Sequence, residues 1–72
     1  MKNNMDPLFI YIGKRIKIQR IKKDISAHEL ASRLDITRNY LSLIENGHVS
    51  ASIIVYAKIA NELDIKLSEL FD

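Results

Sequence analysis

Residues 27–46 read AHELASRLDITRNYLSLIEN, and their spacing decides how the chain folds. Ser26 and Thr37 stand where helices would begin. Each hydroxyl can accept a hydrogen bond from an otherwise orphan amide of a first turn. Behind Ser26, the apolar positions Ala27, Leu30, Ala31 and Leu34 recur at helical spacing. Behind Thr37, Leu41, Ile44 and Glu45 do the same. Asp35 and Ile36 form the break, with Ile36 as an apolar plug. Ala31 is small where the second helix must cross close to the first.

Two short helices joined in this way are the helix-turn-helix pattern, whose second helix enters the major groove of DNA. The outer positions of that helix are Arg38, Asn39, Ser42 and Leu43, and these are the expected base contacts. Arg38 can read guanine through a bidentate pair, and Asn39 can read adenine. A plain phosphate contact is the simpler role for Arg38. Leu43 either meets a thymine methyl or packs inward or against a partner. Positioning contacts to phosphate are expected from Lys14, Arg33, Asn46 and His48, and from the amino end of the helix opening at Ala27, whose free amides suit an anion.

The chain has 72 residues, enough for one domain. A domain of this size buries only about 60% of its unfolded-chain surface, so its stability is modest unless a partner adds burial. Without cysteine there is neither a disulfide framework nor a thiolate metal site. The longest apolar runs, Leu8 to Ile12 and Ile53 to Ala57, are far too short to cross a membrane. No charged-then-apolar leader opens the chain, so a cytoplasmic location is expected. The net charge is only +2, yet six cations fall between Lys14 and Lys23. That basic stretch fits phosphate contact, and it fits a solvated helix face equally well.

Five helices are expected and no strands. Residues 1–6 read as a flexible tail ahead of the domain at 7–72, with Asp6 capping a first helix from Pro7 to Lys22. Leu8 or Phe9, Ile12, Ile16 and Arg20 share its inner stripe. Gly47 ends the third helix, Ser52 caps a fourth from Ile53 to Glu62, and a short fifth covers Leu67 to Phe71. Asp24-Ile25, Asp35-Ile36 and Asp64-Ile65 each follow a helical pattern. Aspartate tolerates the left-handed conformation found just past helix ends, so these three read as stops and not as catalytic carboxylates. In the fourth helix Ile53, Tyr56, Ile59, Ala60 and Leu63 form the inner set. Ile54 and Val55 then point outward, an apolar pair suited to a two-fold contact.

From Ile12 to Phe71 the chain resembles the DNA-binding domain of the phage repressor and Cro type, the xenobiotic-response-element helix-turn-helix family. The resemblance rests on Ile12-Gly13-Lys14-Arg15-Ile16, Ser26 with Glu29-Leu30-Ala31, Tyr40-Leu41-Ser42, Ile44-Glu45-Asn46-Gly47, Ile59-Ala60 with Leu63, and Leu67 with Glu69-Leu70-Phe71. It implies an all-α, compact five-helix, lambda-repressor-like domain that binds a palindromic operator as a homodimer and regulates transcription. It also implies that Arg20 and Glu45, which lie on facing apolar stripes, pair as a buried salt bridge. The chain departs from the family at Ala27, where Gln is usual, at Leu43, often polar, at Ala51, usually Pro, and at the three aspartate stops, usually Gly.

No catalytic constellation competes with this. His28 and His48 lack metal-site spacing, the serines lack a paired base, and two glycines cannot make a phosphate-cradling loop. No enzyme activity, cofactor or metal is therefore expected. No sensor domain is expected after the last helix, which would suit a small autoregulator, a restriction-modification controller, a phage or plasmid repressor, or an antitoxin. The alternative is a protein-interaction module, antagonist or scaffold, that kept the fold and lost tight DNA binding; Ala27 and the low net charge favour it, and Arg38-Asn39 opposes it.

Overall fold

The computed structural model describes residues 6–72, as α1 (Pro7–Lys22), α2 (Ala27–Leu34), α3 (Arg38–Glu45), α4 (Ile53–Glu62) and a single 3-10 turn (Leu67–Leu70). No strand occurs among the described residues. Residues 1–5 of the expected tail lie outside them. Asp6 caps α1 as expected: its carboxylate accepts from the Leu8 amide at 2.8 Å, with Pro7 in the first helical position where its missing N–H costs nothing.

Each later α-helix also starts on a side-chain cap. Ser26 Oγ accepts from the Glu29 amide at 3.0 Å, Thr37 Oγ1 from Tyr40 at 3.0 Å, and Ser52 Oγ from Val55 at 3.2 Å. Such caps contribute about 1 kcal/mol apiece. The helix stops share one geometry. Asp24, Asp35 and Asp64 have φ of 59°, 58° and 57°, and Gly47 has 76°. Past each of them the next amide reaches back: Ile25 to the Arg20 carbonyl, Ile36 to Ala31, His48 to Leu43 and Ile65 to Ala60, at 2.9–3.1 Å. This is the Schellman closure, in which an apolar residue after the left-handed one packs back on the helix. Ile25, Ile36 and Ile65 are all half-buried against the core. The repeated Asp-Ile pair is a stop and an anchor together, and in the first two cases Ser26 or Thr37 then opens the next helix.

The core draws on every element, with Ile12, Ile16, Leu30, Leu41, Ile44, Ile59, Leu63 and Leu70 fully buried. Burial of each such side chain stabilises by about 1.5–3 kcal/mol. Phe9 packs against this core, whereas Leu8 is exposed. No helix among the described residues is long and apolar enough to cross a membrane.

The structure corrects two expectations. The fifth helix is one 3-10 turn, so there are four α-helices among the described residues: four residues are too few for α-type bonding, and Phe71 donates to Ser68 in the shorter register. In α4, Ile53 is exposed and Val55 is half-buried against the core, the reverse of the expected assignment; Ile54 is exposed as expected. Side chains lean toward a helix's amino end, so a first-turn residue such as Ile53 projects past the end of its own helix and off the core.

Gly13 sets the distance between α1 and α3. A Cβ there would stand 2.5 Å from the carbonyl oxygens of both Ile44 and Glu45. Backbone cannot yield as a side-chain tip can, so Gly13→Ala must push the end of α3 away. We expect a loss of about 1–3 kcal/mol in denaturant unfolding; an unchanged midpoint would contradict this packing.

Candidate nucleic-acid interface

Helical geometry sorts the residues of α3 into two sides. Arg38, Asn39, Ser42 and Asn46 fall within an arc of about 100°, and all four are exposed. Leu41, Ile44 and Glu45 lie outside that arc and are buried, Glu45 next to its Arg38 edge. Leu43 borders the stripe at its other edge and Tyr40 lies on the far side; both are half-buried. Asn46, in the cap of α3, donates from Nδ2 to Ser42 Oγ at 3.3 Å, linking two members of the stripe. The stripe therefore presents a guanidinium, two amides and a hydroxyl, groups that can hydrogen-bond base edges.

The inner side of α3 is fixed by one ion pair. Arg20 Nε donates to Glu45 Oε2 at 2.8 Å and Nη2 to Oε1 at 3.2 Å, with both side chains almost wholly buried. The remaining arm, Nη1, donates to the Ile25 carbonyl at 2.9 Å. One guanidinium thus joins α1, α3 and the turn that enters α2. No buried side-chain polar atom lacks a partner among the described residues.

The expected phosphate contacts divide. Asn46 belongs to the stripe, and exposed His48 follows it in the loop past Gly47. Ala27 is half-buried against the core, so what it can offer an anion is its first-turn amide. Arg33 is not gathered with this group. Lys14 is exposed on α1 one helical turn past Ile10, which lies against Gly47 between Asn46 and His48. Arg33 is in the last turn of α2, the end away from Ala27, ion-paired to Glu29 and 4.0 Å from Glu62. The basic stretch is divided as well, because Arg20 is consumed by Glu45. Arg15 donates Nε and Nη2 to the Glu69 carbonyl at 3.0 and 2.7 Å and sits over the Tyr11 ring.

Two supports of the site were missed in the sequence. Arg15 holds the C-terminal 3-10 turn against α1, and its only local signal is Tyr11 one helical turn earlier. Tyr56 Oη accepts from the buried Ala51 amide at 3.2 Å and so pins the loop between α3 and α4. Nothing in the spacing marks that contact. His28 is exposed on α2, and no group of three or more potential ligands could hold a metal among the described residues.

This architecture matches known proteins. The helix-turn-helix family pattern covers residues 16–70, and the chain belongs to that family, in its Cro/C1-type branch. The family is one of transcriptional regulators and not of enzymes. Control protein C.MunI of Mycoplasma sp is 38% identical over 68 residues, which cover 93% of this chain and 92% of the relative. The crystal structure of the restriction-modification controller protein C.AhdI from Aeromonas hydrophila superposes with a TM-score of 0.83 at 32% identity, covering 88% of this chain and 96% of that one. SinR, a master regulator for biofilm formation crystallised in complex with DNA, superposes with a TM-score of 0.79 at 37% identity over 85% of this chain and 98% of that one. Against the whole SinR of Bacillus subtilis the match spans 56% of the relative's length.

Proposed function

We propose that this chain is a sequence-specific DNA-binding transcriptional regulator of the restriction-modification controller kind, acting in the cytoplasm as a homodimer on a palindromic operator. The observation that carries the reading is the exposed stripe of Arg38, Asn39, Ser42 and Asn46 on a helix whose other side is locked to α1. A groove-reading helix needs both properties. Its outer groups must be free to meet base edges, and its axis must not swing while they do so. The controller assignment is supported by similarity to C.MunI over nearly the whole of both chains.

In this reading Arg38 pairs with guanine, Asn39 with adenine, and Leu43 meets a thymine methyl at the edge of the stripe. The first-turn amide of Ala27, with Asn46 and His48, sets the register on the phosphates. No catalytic step is involved. A protein-interaction module on the same fold is the competing reading, and Ala27 at a position where the family usually has Gln favours it. Salt decides between them, because DNA binding must weaken steeply as salt rises. On operator DNA selected from genomic fragments, Arg38→Ala should lose about 1–3 kcal/mol of binding free energy while affinity for random DNA changes much less. Equal losses on both would reduce Arg38 to a backbone contact. Affinity too weak to measure at low salt would favour the interaction module.

The dimer is proposed to form through the exposed start of α4. Ile53 and Ile54 are 58% and 65% exposed, and Phe71 stands edge-on to Tyr56 of the same helix with ring centroids 6.4 Å apart. Covering each isoleucine across a two-fold axis would contribute about 1.5–3 kcal/mol, and the arrangement would set two recognition helices about 34 Å apart. The Ile53→Glu, Ile54→Lys variant should sediment as a monomer where the unaltered chain sediments as a dimer. A variant that stays dimeric, or an unaltered chain that stays monomeric at high concentration, would overturn the interface.

A further inference from the structure

The outward side of α1 has no role in the core or in the α3 stripe. Tyr11, Ile18 and Ile21 follow one another along it and are 41%, 53% and 58% exposed. Ile18 lies about 140° round the helix from Gly13 and 160° from Arg20, two of the residues through which α1 meets α3. β-Branched isoleucine is not among the residues that favour an exposed helix surface, and two of them one turn apart stand in line with a tyrosine two turns earlier, with Lys14 between. The row is held firmly at one end, where the Arg15 guanidinium lies 5.9 Å from the Tyr11 ring centroid while bonded to the Glu69 carbonyl. Its charge has one sign: Lys14, Lys17 and Lys22 are exposed in and beside the row, and α1 contains no acidic residue.

We propose that this face docks an amphipathic helix of a protein partner, apolar on one side and edged with aspartate and glutamate. From Tyr11 to Ile21 the row spans about 15 Å, three turns of a facing helix. Lys17 borders it on one side and Lys22 on the other, so a helix lying along it meets cations at both edges, and only acidic edges avoid like-charge contact. A nucleic-acid backbone would answer the lysines and leave the isoleucines without a partner. An anionic membrane would answer both, but membrane helices bury a long apolar face to about 5–10 Å, and three side chains on a packed domain are a small anchor for that. The row faces away from the contacts with α3, so the partner can be held while α3 meets DNA.

The test uses a labelled synthetic peptide of about five helical turns, with a leucine stripe edged by glutamate, and a twin edged by lysine. Each is titrated with the full chain in low salt and followed by fluorescence anisotropy. The glutamate-edged peptide should bind about tenfold more tightly than its twin, and added salt should weaken it. The Ile18→Ser, Ile21→Ser variant should lose that binding while keeping its helical circular dichroism and its DNA affinity. The Lys17→Glu, Lys22→Glu variant should reverse the peptide preference, and it decides the matter if the serine variant does not fold. Equal binding of the two peptides, or undiminished binding by the serine variant, would overturn the proposal. So would loss of self-association in the serine variant, which would make the face a contact between copies. Binding of the chain to phosphatidylglycerol vesicles in place of the peptide, dependent on Ile18 and Ile21, would overturn it in favour of a membrane.

Discussion

The guanidinium of Arg20 is the constraint on which the rest of the structure depends. It reaches Glu45 with two arms and the Ile25 carbonyl with the third, so α1, α3 and the entry to α2 meet on one side chain. A buried ion pair is weak evidence for stability as such, because desolvating both charges offsets much of their attraction. What it supplies is directional. Apolar side chains would let α3 roll on α1, whereas a two-armed pair allows one orientation of α3 about its own axis. The pair holds α3 with Ile44 turned inward, and helical spacing then carries Arg38, Asn39 and Ser42 to the outside, about 120–160° away. The bond is short-range and charge-assisted, and the Gly13 contact complements it: without the missing Cβ, the end of α3 could not come close enough for the pair to form.

The same economy governs the turns. Three of the four left-handed stops are aspartate, which holds that conformation less easily than glycine, and each is followed by an isoleucine that packs into the core. Local strain and tertiary burial are therefore coupled within two residues. The break between α2 and α3 is short because stop, plug and cap occupy consecutive positions, Asp35, Ile36 and Thr37. A longer loop would let the reading helix change its angle against α2. In this protein the angle is set by residues that never face outward.

Much of this was legible from residue order. The bounds of α1 to α4 follow from paired signals, a capping oxygen at the start and a left-handed residue past the end, and those signals are local. The Arg20–Glu45 geometry was expected from facing stripes together with the family resemblance, and the exposure of Arg38, Asn39 and Ser42 from helical periodicity, whereas Leu43, placed outward with them, is half-buried. The failures share a different cause. The last turn became 3-10 where Arg15, far off in sequence, donates to the Glu69 carbonyl. Ile53 and Val55 exchanged roles because side-chain lean at a helix start is invisible to periodicity. Arg33 pairs with Glu29 one turn earlier on its own helix, and its second neighbour, Glu62, sits on another helix. Two of the six cations in the basic stretch are used internally: Arg20, whose pairing was expected, and Arg15, whose bond to Glu69 was not.

A double-mutant cycle on Arg20 and Glu45 tests this account most directly, with unfolding by denaturant as the readout. Arg20→Met alone and Glu45→Leu alone should each cost about 3–5 kcal/mol, because each strands a buried charge. The two together should cost much less than the sum of the single losses. Single losses below about 1 kcal/mol, the scale of an exposed pair, or losses that simply add, would contradict the claim that this pair holds the reading helix in place.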